Sequence, residues 1–369
     1  MKTLLHHFTR LVAGFGLLVL VLVAAWLGCG FSRPYRTPEP LPAGQFTDMH
    51  CHAAGIGAGG SGCFISPELR RSYKFRRYLE AFGVTEADLE KSGDWLVIDR
   101  ISASLAQSQH VGRAVILALD GVVDAHGELD RARTEIYVPN EFVATAVARH
   151  PNLAWGASVN PYRRDALERL QWAADHGAVL VKWLPSIQQI DPADPRLIPF
   201  YHRLVELDLP LLAHTGSEHS FTRATDELCD PARLELPLRL GVRVIAAHAA
   251  TTGEFHGEPS LDRLARLMLR YPNAYADISS LTQINKAGHL GLVLGRPEFA
   301  GRLLYGTDFP LVNMPILVSP WYYAHRLPVS TIRRINALAN PWDRDVALKQ
   351  ALGMPADVWT RADAVLRHQ

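Results

Sequence analysis

Short apolar runs of strand length recur along this chain: Phe46 to Cys51, Ala114 to Leu119, Leu153 to Val159, Ala178 to Leu184, Pro210 to Ala213, Val242 to Ala247, Ala274 to Ile278 and Arg302 to Tyr305. Between most of them lie stretches whose apolar residues return at helical spacing, such as Asp165 to His176, Pro199 to Leu207 and Ser260 to Leu269. Strands that alternate with helices imply a parallel sheet, because parallel neighbours need a crossover between them. With roughly eight such units in one chain, the sheet is expected to close into a (β/α)8 TIM barrel.

Two segments break the rhythm. Residues 55 to 113 open with a Gly-rich loop, Gly55 to Gly62, and continue with helical patterns, which predicts an insertion over the barrel mouth. Residues 309 to 338 carry Pro310, Pro315, Pro320 and Pro328 around Trp321, Tyr322 and Tyr323, aromatics that either wall a pocket or pack an irregular loop. The tail from Pro341 to His368 reads as helical.

Ahead of the barrel the pattern changes. No residue from Leu11 to Gly28 is charged, and Lys2 and Arg10 precede the run, the layout of a signal peptide or a single transmembrane helix over residues 1 to 29. Trp26-Leu27-Gly28-Cys29 is similar to a lipoprotein cleavage site, with Trp26 where Leu is usual. Residues 30 to 45 hold Pro34, Pro38, Pro40, Pro42 and Gly44, a composition that resists helix and strand and reads as a linker to a body over 46 to 369. A body behind such a leader is expected to be membrane-anchored or exported, on the extracytoplasmic side.

Composition narrows the partners. Lys and Arg number 38 against 37 for Asp and Glu, a formal charge of +1, so the chain offers no electrostatic footprint for nucleic acid. The four cysteines, Cys29, Cys51, Cys63 and Cys229, show no metal-ligand spacing, although Cys51 and Cys63 are close enough in sequence to form a bridge in an oxidising compartment.

The chemistry lies at the strand ends. His50 and His52 bracket Cys51, and alternation across a strand turns both imidazoles into the barrel while Cys51 faces the shell. His214 closes Pro-Leu-Leu-Ala-His, His248 closes Val-Ile-Ala-Ala-His, Asp308 closes Leu-Leu-Tyr-Gly-Thr-Asp, and Lys182 sits within Val-Leu-Val-Lys-Trp-Leu. Each places a polar group at the C-terminal rim, where barrels of this kind build their sites. Burying any one alone would cost several kcal/mol, a cost that a shared metal centre removes. Imidazole and carboxylate ligands suit zinc and also manganese, iron or nickel.

These motifs resemble the amidohydrolase superfamily: Asp48-Met49-His50-Cys51-His52, His214-Thr215-Gly216, Ala247-His248 and Tyr305-Gly306-Thr307-Asp308. Val181-Lys182-Trp183-Leu184-Pro185, followed by Asp191-Pro192 and Pro210-Leu211, is similar to its amidohydrolase-related branch, often called amidohydrolase 2. The resemblance implies that His50, His52 and Asp308 bind the more buried metal. In two-metal members His214 and His248 hold a second ion and a carboxylated Lys182 bridges the pair; in one-metal members His214 joins the first three and His248 acts on water or substrate. The alternative for Lys182 is an ordinary amine in an ion pair.

The expected activity is hydrolysis of an amide, ester or lactone of a small molecule by metal-activated water, with Asp308 moving the proton and His248 assisting. A one-metal decarboxylase or hydratase acting on a small carboxylic acid is the alternative, with Lys182 and Arg223 as partners for the substrate carboxylate. A membrane-tethered metal-binding protein without turnover is a third. Glu218 and His219 follow the fifth strand in a rim loop, where they are either substrate contacts or, as the first reading, solvated side chains; Asp120 and Asn160 are candidate rim contacts; His256, His289 and His325 hold no strand-end position.

Overall fold

The structure, a computed structural model, describes residues 17–18, 38–218 and 220–367. The expected leader, Leu11 to Gly28, lies outside the described residues apart from Leu17 and Leu18. Among the described residues no helix is long and apolar enough to cross a membrane.

Eight parallel strands form one sheet in sequence order: β1 (Phe46–His52), β2 (Val111–Leu117), β3 (Leu153–Ala157), β4 (Ala178–Trp183), β5 (Leu211–Ala213), β6 (Val244–Ala246), β7 (Ala274–Asp277) and β8 (Leu303–Leu304). Helices α1 (Asn140–Val147), α2 (Ala166–Asp175), α3 (Ile198–Glu206), α4 (Glu235–Arg239), α5 (Ser260–Arg270) and α6 (His289–Leu294) make the crossovers from β2 to β8. The sheet closes where β8 meets β1. Met49 donates to the Tyr305 carbonyl at 3.3 Å, Asp308 to the His50 carbonyl at 3.0 Å and His52 to the Phe309 carbonyl at 2.8 Å.

Two cores result. Inside the barrel, Met49, Val115, Leu117, Ala154, Leu180, Leu212, Ile245 and Leu304 pack together, joined from below by Ala362, Val365 and Leu366 of the chain's end. Between strands and helices a larger cluster holds Cys51, Trp155, Trp183, Phe200, Phe309 and Trp342. Cys51 therefore faces the shell, as strand parity requires, but the route differs from simple alternation. The register of β1 on β2 shifts between Asp48 and Cys51, so Met49 and His50 both turn inward across a bulge.

Residues between β1 and β2 cover the mouth with helices Pro67–Arg71, Tyr73–Phe82, Glu86–Ser92 and Trp95–Leu105. The buried Asp94 carboxylate ties the Gly-rich loop down, accepting from Ile56 N at 3.0 Å, Gly57 N at 2.9 Å and the Ser61 hydroxyl. Cys51, Cys63 and Cys229 are buried free thiols, so the bridge considered between Cys51 and Cys63 is not formed. Of the aromatics after β8, Tyr323 is buried in the shell core and Trp321 is exposed, so they pack a loop rather than wall the main pocket.

Candidate metal centre

Six side chains expected from the sequence meet at the C-terminal end of the strands. His50, His248 and Asp308 each bring one ligand atom within 4.8 Å of the others. His52 Nε2 lies 3.1 Å from Asp308 Oδ1, the His214 ring centroid is 5.1 Å from that of His248, and Lys182 Nζ is 3.2 Å from His50 Nε2. Apart from His52, whose side chain is 29% exposed, these groups are buried.

The backbone delivers them under strain. His248, Ala249 and Ala250, directly after β6, take φ of 57°, 47° and 50°, and Asp308 takes 65°, left-handed values that L-residues adopt at a cost of order 1–2 kcal/mol each. Such conformations persist where surrounding contacts fix them. Here the Asp277 carboxylate accepts from His248 N at 2.9 Å, and Asp48 accepts from Thr307 N at 3.0 Å and the Thr307 hydroxyl at 2.6 Å. Asp48 also accepts from Trp342 Nε1 at 2.8 Å, so a residue of the first motif serves as an anchor between β1, β8 and the tail.

Ring orientation follows from the outer contacts. His50 Nδ1 donates to Asp277 Oδ2 at 2.8 Å, which leaves its Nε2 lone pair facing the cluster. His248 Nδ1 lies 3.1 Å from the Ser279 carbonyl and 2.8 Å from its hydroxyl, turning Nε2 the same way. His214 Nε2 is buried without a hydrogen-bond partner among the described residues, with Glu218 Oε2 standing 3.4 Å away.

Burial sets the protonation states. It lowers His50 and His248, and brings His214 down to about 4, so all three imidazoles are neutral and able to ligate near pH 7. Burial would raise Asp308 and Asp277, but His52, His248 and His50 hold Asp308 well below the carboxylate range, and His50, His248 and Ser279 do the same for Asp277. Burial lowers Lys182 to about 8, only partly offset by Asp277 and Asp308. Neutral imidazoles and ionised carboxylates converging on one point, with a buried Nε2 left over, fit a divalent cation. Cysteine contributes nothing, since Cys51 turns away toward Asp48.

Above this floor opens a pocket of about 1120 Å³, its mouth included. Its lining includes apolar Ile65, Leu69, Phe75, Phe82 and Phe221 and polar Gln283, Asn285 and Lys286.

Several readings of the sequence change here. Glu218 is a buried pocket residue facing His214, not a solvated loop side chain; His219 lies outside the described residues. Asp120 and Asn160 do not line the pocket. Asp120 clamps Arg163 at 2.6 Å and Asn160 bonds the carbonyls of Gly121 and Gln188, each at 2.9 Å. Arg223 points to the Ala132 carbonyl and toward Glu68, away from the pocket. Sequence reasoning passed over Asp277, Ser279, Gln283 and Lys286. Asp277 had a signal, a carboxylate ending an apolar strand; Lys286 sits in a short turn with no periodicity to mark it.

A buried His/Asp cluster at the C-terminal rim of a closed parallel barrel is a candidate metal site on an enzyme-type barrel. Comparison makes this specific: an amidohydrolase family model (Amidohydro_2) matches residues 47–335, and the chain belongs to that family. No functionally curated relative matches it in sequence. Among solved structures it is similar to an uncharacterised TIM-barrel protein from Bordetella bronchiseptica, at 18% identity and TM-score 0.50 over 83% of this chain and 99% of the other. It is also similar to an enzyme from Acinetobacter baumannii described as a probable 2-pyrone-4,6-dicarboxylic acid hydrolase, at 14% identity and TM-score 0.50 over 84% and 92%. A 5-carboxyvanillate decarboxylase from Sphingomonas paucimobilis follows at 12% identity and TM-score 0.45 over 88% and 99%. At these identities the likeness is one of fold.

Proposed function

We propose that the protein is a metal-dependent hydrolase that turns activated water on an amide, ester or lactone of a small molecule. The observation that carries the reading is the buried, unpartnered His214 Nε2 beside the His50, His248 and Asp308 cluster, a donor set that pays its desolvation cost only when a cation is shared. Residues His50, His52, His214, His248 and Asp308 would hold the ion or ions, and zinc is the first choice for such ligands, with manganese, iron or nickel also suited. When bound, a divalent ion supplies Lewis acidity, polarising a carbonyl and bringing water's pKa from 15.7 toward about 7.

The chain's own residues supply the rest. Asp308, held ionised, accepts a proton at its carboxylate from a water entering the pocket, and His248, fixed by Ser279, orients against the same point. Asp277 keeps His50 in the tautomer whose Nε2 faces inward. The lowered Lys182 leaves a larger share of neutral amine than an ordinary lysine, the form that would add CO₂ and release a proton to give a carbamate able to take part in holding metal.

The second reading is a one-metal decarboxylase or hydratase acting on a small carboxylic acid. What favours it is the 3.2 Å contact between Lys182 Nζ and His50 Nε2, which suits an amine kept as such. Metal content and turnover separate the two. Purified protein should hold about two ions and cleave members of an ester, lactone and amide panel, and Lys182→Ala should bring the metal content toward one, with bicarbonate and a short-chain acid restoring part of the activity. A single ion in wild type, unchanged in Lys182→Ala, with turnover of aromatic acids instead, sinks the hydrolase reading.

We infer also that residues 1 to 29 export or anchor the enzyme, with the barrel on the extracytoplasmic side, on the support of the uncharged run after Lys2 and Arg10. Deleting residues 1 to 40 should release a folded, metal-binding barrel from the membrane fraction; retention there would refute the anchor.

A further inference from the structure

Lys286 is a buried ammonium without a carboxylate partner. It is 9% exposed and lines the pocket. Its Nζ donates to the Ser280 hydroxyl at 2.6 Å, and no ion pair engages it among the described residues. The carboxylates that raise its affinity for a proton, Asp308, Glu218 and Asp277, act only from a distance. Buried cations are otherwise paired, because an uncompensated one costs several kcal/mol. Three residues earlier, Gln283, 6% exposed, lines the same pocket, and its Nε2 is buried without a hydrogen-bond partner among the described residues. Two donor side chains three residues apart therefore line the pocket, Lys286 with a neutral hydroxyl as its hydrogen-bond acceptor and Gln283 Nε2 with none among the described residues.

The same pocket also has apolar lining of another kind: Ile65, Leu69, Phe75 and Phe82 from the insertion, with Phe221, offer a ligand little but carbon. A molecule that uses both kinds of lining needs an anionic head and an apolar arm.

We propose that the substrate of this site is a carboxylic acid with an apolar arm, its carboxylate held by Lys286 Nζ and Gln283 Nε2 and its arm lying on Ile65, Leu69, Phe75, Phe82 and Phe221. This deepens the hydrolase reading: the scissile amide, ester or lactone belongs to a molecule that also carries a carboxylate. Lys286 and Gln283 are specificity residues, and neither is asked to ligate a metal.

Calorimetric binding of simple acids to the full, metal-loaded chain tests the assignment apart from turnover. Hexanoate should bind at least about tenfold more tightly than neutral hexanamide, as a charge-assisted hydrogen bond in a buried site implies. Affinity should climb roughly fourfold per methylene from acetate to hexanoate. Lys286→Met should lose the preference for hexanoate over hexanamide while keeping its metal content by elemental analysis, and Phe75→Ala should flatten the chain-length series. Hexanoate binding unchanged in Lys286→Met would mean that the acid sits on the metal and would overturn the proposal. Should that variant not fold, equal affinity of wild type for hexanoate and hexanamide overturns it as well. A wild-type chain that prefers hexanoate yet holds no metal would refute the hydrolase reading and leave the acid site standing.

Discussion

An imidazole buried without a partner gives up its proton early. His214 titrates near 4 because burial penalises its charged form, whereas in the unfolded chain it returns to about 6.5, and His50 and His248 shift in the same direction. Between those pH values the unfolded chain binds more protons than the folded one, so the stability these groups contribute is complete above 6.5 and is lost as pH falls toward 4. Chelator-treated protein should therefore lose stability to urea over that window and level off below it, and His214→Gln should show a shallower loss. An identical slope in both would remove His214 from the account. All six ligand candidates could be picked from the sequence because each stood as a polar residue within or at the end of an apolar run. Lys286 and Gln283 could not, since their meaning comes from what is missing around them, and a sequence shows neighbours in the chain but not the lack of neighbours in space.

Elements were legible to different degrees. The eight runs coincide with β1 to β8 to within a few residues, and the expected helices match α2, α3 and α5, because long periodic stretches report which face is buried. The bulge in β1 was invisible: it depends on register against β2 rather than on local pattern. Nor could the sequence show how Asp94 holds the loop over the mouth, a contact between residues 37 apart. Gly216 lies between these cases, quoted as part of a motif but explained only by geometry. Its φ is +86°, and a Cβ there would come within 2.4 Å of the Thr252 carbonyl oxygen. Gly216→Ala should thus cost about 2 kcal/mol or more in denaturant unfolding and weaken metal binding through the displaced turn that carries His214 and Glu218. A variant as stable as wild type would show that this turn yields freely.

At the scale of the whole molecule the barrel joins its two ends. Asp48 and Thr307, 259 residues apart in sequence, share a hydrogen bond, and the seam they sit on is closed by few backbone bonds compared with the longer pairing of β1 on β2. His50 stands on one side of that seam and Asp308 on the other. An ion ligated by both would be a clasp across the last gap to shut during folding and the first to breathe afterwards, since contacts between distant parts of a chain form late. Chelation should then quicken amide exchange at Met49, His52 and Asp308 while leaving the amides between β3 and β4 slow. Uniform quickening around the barrel would show that the ion steadies the sheet as a whole. Seam-restricted quickening would make the metal a fastener as well as a reagent, so that an enzyme starved of its ion would gape along one line, inactive and exposed to proteases, before it unfolded anywhere else.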